Sequence, residues 1–187
     1  MKFSLSCTTI VSAFVLLFST TRVNAECSDV HIVFARGSGE LPGLGICGGP
    51  LVKGITSNLE GMSVSSYAVN FLADVAQTSA GPGATDMTNH VVAVAQECPK
   101  TVFVLGGYSQ GASVTDISIG IRTMLDHRAL EPTVRSKAIE FCNFGDPVCA
   151  NGFNAMAHMM YPMDGSVTKA AQQAAALVKS GMNSFRG

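Results

Sequence analysis

Short, nearly unbroken apolar runs alternate along the chain with segments whose apolar positions are spaced three and four apart. Val30-His31-Ile32-Val33-Phe34 is the first run, rich in β-branched and aromatic residues, and it stops at Arg36-Gly37-Ser38-Gly39. That pattern predicts a strand feeding a glycine-rich loop. A loop with Pro42, Gly43 and Gly45 precedes a helical stretch from about Pro50 to Leu59, and Ser63 to Phe71 reads as a second strand. A polar loop from about Thr78 to Thr85 is centred on Gly81-Pro82-Gly83, and Asp86 is placed to cap a helix that ends near Pro99. Thr101 to Leu105 is a third apolar run, followed at once by Gly106-Gly107-Tyr108-Ser109-Gln110-Gly111 and a helix from about Ala112 to Leu125. Ala138 to Cys142 reads as a further strand, and an alanine-rich helix runs from about Val167 to Lys179. Continuous apolar strands separated by helices predict a central parallel sheet covered on both faces, a three-layer α/β/α sandwich in one domain.

The first 25 residues belong to a different pattern. Lys2 gives a positive start, Ile10 to Phe18 an apolar core, and Val23-Asn24-Ala25 the small-residue signature of a signal-peptidase site. This core is shorter than the ~20 residues a membrane span requires. The expected mature chain is residues 26–187: secreted, a soluble monomer without an integral membrane segment. Loss of Lys2 and Arg22 leaves 10 basic against 13 acidic residues. That balance provides no basic patch for nucleic acid, so any substrate attraction rests on apolar or shape contacts. Five cysteines remain in the mature chain: Cys27, Cys47, Cys98, Cys142 and Cys149. Their spacing does not match zinc pairs, and in an oxidising compartment most should form disulfides with one left over. No dinucleotide or phosphate loop is present, and no metal or organic cofactor is expected.

The chemistry concentrates at Gly107-Tyr108-Ser109-Gln110-Gly111. Gly-x-Ser-x-Gly between an apolar strand and a helix is the context a nucleophile elbow needs, a sharp turn that lifts the serine hydroxyl above the sheet edge. The helix N-terminus behind it offers free N–H groups to a developing oxyanion. Such a serine needs a base, and the base an orienting acid, in the chain order Ser, Asp or Glu, His. His31 and His90 precede Ser109, and His127 falls at the far end of the following helix, which leaves His158. Asp116 and Asp126 belong to the elbow helix and Asp164 follows His158, which favours Asp146, just beyond the Phe141-Cys142 run. Cys142 and Cys149 flank Asp146 closely enough to close a small loop around it. Leu41, Phe153, Met156, Met159 and Met160 lie in loops near this site, either as an apolar rim or as packing residues.

These residues resemble those of the cutinase family of secreted serine esterases. The likeness is carried by Gly107–Gly111, by Cys27-Ser28-Asp29-Val30 with Phe34-Ala35-Arg36-Gly37-Ser38, by the box from Phe141 to Cys149, and by Ala157-His158. It implies a nucleophile at Ser109, a base at His158 and an acid at Asp146. It also implies an oxyanion hole from Ser38 and the Gln110 backbone N–H. Disulfides Cys27–Cys98 and Cys142–Cys149 follow, with Cys47 left as a thiol. The implied substrates are cutin-like polyesters and short-chain esters, with acetylated polysaccharide as the alternative. One departure stands out. Only 33 positions separate Ser109 from Cys142, and Asp126 to Lys137 carries none of the β-prone character of the further strand such chains normally have there. The sheet is therefore expected to lack one strand. The acid's strand would then move beside the serine's, or a gap would open; either would misplace the acid, with a catalytically inactive family member as the alternative.

Overall fold

The computed structural model describes residues 27–125 and 138–184. The expected signal segment and the stretch from Asp126 to Lys137, His127 included, lie outside the described residues. Strand β1 (Val30–Ala35) is buried along its whole length and is flanked by two parallel partners, β2 (Val64–Ala68) and β3 (Val102–Gly107). The order is β2-β1-β3. A strand covered on both faces has no polar side to show, which is why Val30 to Phe34 reads as a run rather than an alternation.

Alternate residues of β1 serve the two layers. Val30 and Ile32 pack with Ile55 and Leu59, at the end of α1 (Gly45–Asn58), and with Ala171, Ala175 and Val178 of the last helix, Ser166–Ser184. Val33 and Ala35 face the other way, toward Met87 of α2 (Ala80–Glu97) and Val114 of α3 (Gln110–Leu125). A short helix α4 (Ala155–Met159) precedes the last one, α5 (Ser166–Ser184). The result is the expected sandwich with helices on both sides of a parallel sheet.

Four elements differ from the expectation. Helix α1 begins at Gly45 and carries Pro50 inside it, where the sequence pattern places a start. β2 ends at Ala68; the Val69 N–H still reaches the Phe34 carbonyl of β1, and the Arg36 guanidinium then donates to the carbonyls of Val69 and Phe71. Gly81-Pro82-Gly83 is not a loop at the mouth of the site but the first turn of α2, a position where proline loses no hydrogen bond. Gly83 packs there so closely on Val114 and Phe71 that a Cβ would meet them at about 3 Å. Asp86 then lies within α2 and accepts from the Tyr67 hydroxyl and the Asn70 N–H.

The fourth difference bears on the site. Ala138 to Cys142 forms no strand, so among the described residues β3 pairs on one side only. Phe141 turns instead into a cluster with Phe34, Cys47 and Tyr161, and Ala138 and Ile139 line a groove against Gln173 and Leu177 of α5. The acid's segment therefore does not move in beside the serine's strand.

Candidate active site

The register of β1 against β3 places Ala35 opposite Gly107. The loops that leave these strands, one with Ser38 and one with Ser109, are therefore neighbours. The chain then reverses from β3 into α3 within two residues, and Ser109 takes the corner with φ of 56°. A non-glycine residue in this left-handed region carries strain that the surrounding packing must hold. The flanking glycines are required by space: a Cβ on Gly107 would overlap the Gly111 carbonyl, and one on Gly111 would overlap the Ala35 carbonyl. Gly-x-Ser-x-Gly is thus a packing requirement that leaves the Ser109 hydroxyl at the sheet's carboxyl edge.

His158 reaches this hydroxyl from α4, with Nε2 2.9 Å from Ser109 Oγ. Its Nδ1 lies 2.9 Å from Asp146 Oδ2 and 3.1 Å from Oδ1. With the Nδ1 proton held by the carboxylate, Nε2 is free to accept the serine proton. Tyr108 fixes the ring from one side, stacked at 5.3 Å between centroids and 21° between planes, while its hydroxyl donates to the His158 carbonyl.

Asp146 is fully buried. Burial pushes its carboxyl up, but hydrogen bonds from the Tyr161 hydroxyl, the Val148 N–H and His158 outweigh it and hold the group below the ordinary carboxylate range. The segment around it is braced by polar ties. Cys142 is joined to Cys149 with 5.9 Å between Cα atoms. The Ala150 and Gly152 N–H groups donate to the Asp146 carbonyl, the Asn154 N–H to Gly145, and the Asn143 side chain to both the Ala157 carbonyl and the Asp164 carboxylate. The Asn154 side chain in turn caps α4, accepting from the Met156 N–H.

Ser38 donates to the side-chain oxygen of Gln110, which is itself buried and reaches Ser79 with its amide. The backbone of Gln110 opens α3, so its N–H points out of the helix beside Ser109. The Ser38 loop is held by Glu40, whose carboxylate accepts from the N–H groups of Gly37 and Ile46. Cys27 pairs with Cys98, and Cys47 is the free thiol, which burial pushes up to about 12. Of the apolar residues named from sequence, Leu41, Phe153, Met156 and Met159 are exposed, while Met160 is partly buried. Phe144, Leu72 and Val75 are exposed as well. Tyr108, Tyr161, Glu40 and Asn143 escaped the sequence reading. The signal for two of them was there: of only three tyrosines, one lies inside the elbow and one three residues past His158.

Among the described residues no helix is long and apolar enough to cross a membrane, and no group of His, Cys, Asp and Glu could hold a metal ion. The family model described as Cutinase matches residues 26–129 and 122–180, two segments that meet in the region where the interval after Ser109 is short. A cutinase of Kineococcus radiotolerans is 43% identical, with the match covering 83% of this chain and 64% of that protein. The carboxylesterase Culp1 of Mycobacterium tuberculosis is 37% identical over 80% of this chain and 81% of its own length. Among solved structures, a Trichoderma reesei cutinase in complex with a phosphonate inhibitor superposes with a TM-score of 0.66 at 26% identity, covering 83% of this chain and 78% of that one.

Proposed function

The chain belongs to the cutinase family, and from that premise we propose that it is a secreted serine carboxylesterase acting on cutin-like polyesters and short-chain esters. The observation that carries this reading is the continuous hydrogen-bonded row from Ser109 through His158 to Asp146. A serine hydroxyl is a weak nucleophile until a base takes its proton, and His158 Nε2 is positioned for that transfer. Ser109 Oγ attacks the ester carbonyl as its proton passes to His158. The Asp146 carboxylate stabilises the imidazolium that results without itself taking the proton.

Charge then develops on the carbonyl oxygen, where the Gln110 N–H and Ser38 are the donors. Collapse of that intermediate expels the alcohol, which leaves with the proton from His158. An acyl group stays on Ser109. Water enters with His158 again as base, and the carboxylic acid departs.

For the substrate, the exposed side chains of Leu41, Phe153, Met156 and Met159 support an apolar rim for an acyl chain or a waxy surface. Support for secretion comes from the leader pattern before Glu26 and from two disulfides, which persist in oxidising compartments. The test is hydrolysis of p-nitrophenyl butyrate by residues 26–187 beside Ser109→Ala. Turnover should fall by roughly 10⁶-fold in the variant. No turnover from the folded native chain would contradict the proposal and favour an inactive family member.

A further inference from the structure

We infer that Tyr161 is a positioning residue for the acid–base pair, a strut that fixes Asp146 where the sheet does not. The inference rests on the esterase reading of Ser109, Asp146 and His158. The carboxylate of Asp146 has three partners: the Val148 N–H on Oδ1 at 2.7 Å, the Tyr161 hydroxyl on Oδ2 at 2.7 Å, and His158 Nδ1 spanning both. The Tyr161 oxygen also accepts from the Asn143 N–H at 2.9 Å. With that backbone donor in place, the phenol proton is left for the carboxylate, so the direction of the bond is set.

The other end of the side chain is anchored. The ring is 8% exposed and packs with Phe34 and Cys47, edge-on to His158 at 86° and to Tyr108 at 65°. One residue thus joins the core, the loop before the acid, the acid itself and the base. A strand at 138–142 would have supplied this placement through a backbone ladder. Here the segment is coil, and Tyr161 ties the Asp146 carboxylate itself to the core beneath it, beside the packing of Phe141. The phenol stays a donor at any working pH, because burial and the nearby Asp146 and Asp164 push it up to about 12. The titratable groups around the acid are His158, Tyr161 and Tyr108, with Asp164 beside Tyr161.

Tyr161→Phe keeps the ring and removes the hydroxyl. We expect kcat for p-nitrophenyl butyrate to fall about tenfold with KM little changed, the size of one hydrogen bond to a charged group. With that donor gone the Asp146 carboxylate keeps more of its charge for the proton on His158 Nδ1, so the acid limb of kcat/KM should move to higher pH. A role confined to packing would leave that limb in place. A second readout needs no turnover: the far-downfield proton signal of His158 Nδ1, assigned by its loss in His158→Gln, should shift in Tyr161→Phe. Unchanged kcat, pH limb and proton signal would overturn the inference. If the native chain proves no more active than Ser109→Ala, the esterase reading fails, and the proton signal alone decides whether Tyr161 orders the pair.

Discussion

Ser109 is held by a strand, a two-residue turn and a helix packed against the buried β1, whereas Asp146 and His158 are held by a stretch without a strand. On the first side, placement comes from apolar burial. β1 is covered on both faces, and the elbow closes so tightly on it that only glycine fits at Gly107 and Gly111. On the second side, placement comes from polar ties among residues 142–164: one disulfide, the Tyr161 and Asn143 bonds, and N–H groups folded back onto Gly145 and Asp146. The difference explains how the described residues, with no strand at 138–142, still bring the Asp146 carboxylate within 2.9 Å of His158. A side chain outside the sheet can be held in place if its segment carries its own bracing.

The two sides should therefore fail differently. Asp146→Asn attacks the braced side at its centre, where it removes the charge that orients and stabilises the imidazole. It should reduce kcat by about 10⁴-fold, far out of proportion to any fall in the melting temperature. Ile32→Ala attacks the packed side and should cost about 2–5 kcal/mol of stability, read by urea unfolding, with the turnover of the molecules that remain folded unaltered.

Opening Cys142–Cys149 with paired serines separates the sides again. The closed loop is short, so its contribution in the chain-entropy model is roughly 2 kcal/mol, against roughly 4 kcal/mol for Cys27–Cys98 with its 71-residue separation. Loss of the first should show mainly in kcat and loss of the second mainly in thermal melting. Equal losses in both assays would erase the distinction.

Acid gives the smallest effect and touches both regions. Hydrogen bonds from Ser79 and Thr78 push Asp74, on the loop beneath Gln110, down to about 2. Asp146 is likewise held low, although burial opposes it. Groups whose carboxyls are lowered on folding add stability above the ordinary value near 4, and that stability is lost as pH falls toward 2. Circular dichroism should show the fold intact at pH 5 and weakening across that window, with activity lost no later than structure.

The sandwich was legible in the sequence because β1 is buried on both faces and leaves an unbroken apolar run, and the partly buried β3 carries a similar one. Ser109 could be singled out because its turn demands particular residues at particular places, and His158 because chain order set aside His31 and His90 and position set aside His127. What the sequence concealed depends on partners far along the chain. Ala138 to Cys142 has a strand's composition, but a strand exists only where a neighbour pairs with it, and Phe141 finds burial against Tyr161 and Cys47 instead. The start of α2 was hidden because Gly81-Pro82-Gly83 resembles a loop until Val114 and Phe71 close over Gly83. Tyr161 stood out as one of three tyrosines, but its role stayed hidden for the same reason, since its partners Asn143 and Asp146 meet it only once the segment folds back.

The most direct measurement is active-site labelling with an alkyl phosphonate, followed by intact-mass and peptide mass spectrometry. It counts assembled nucleophiles without reference to the natural substrate. The account predicts one label per native chain, located on Ser109. It predicts none in Ser109→Ala, and much slower labelling once Cys142 and Cys149 are replaced, with the far-ultraviolet spectrum preserved. A folded native chain that takes no label, or that labels equally fast with the Cys142–Cys149 bridge removed, would contradict it.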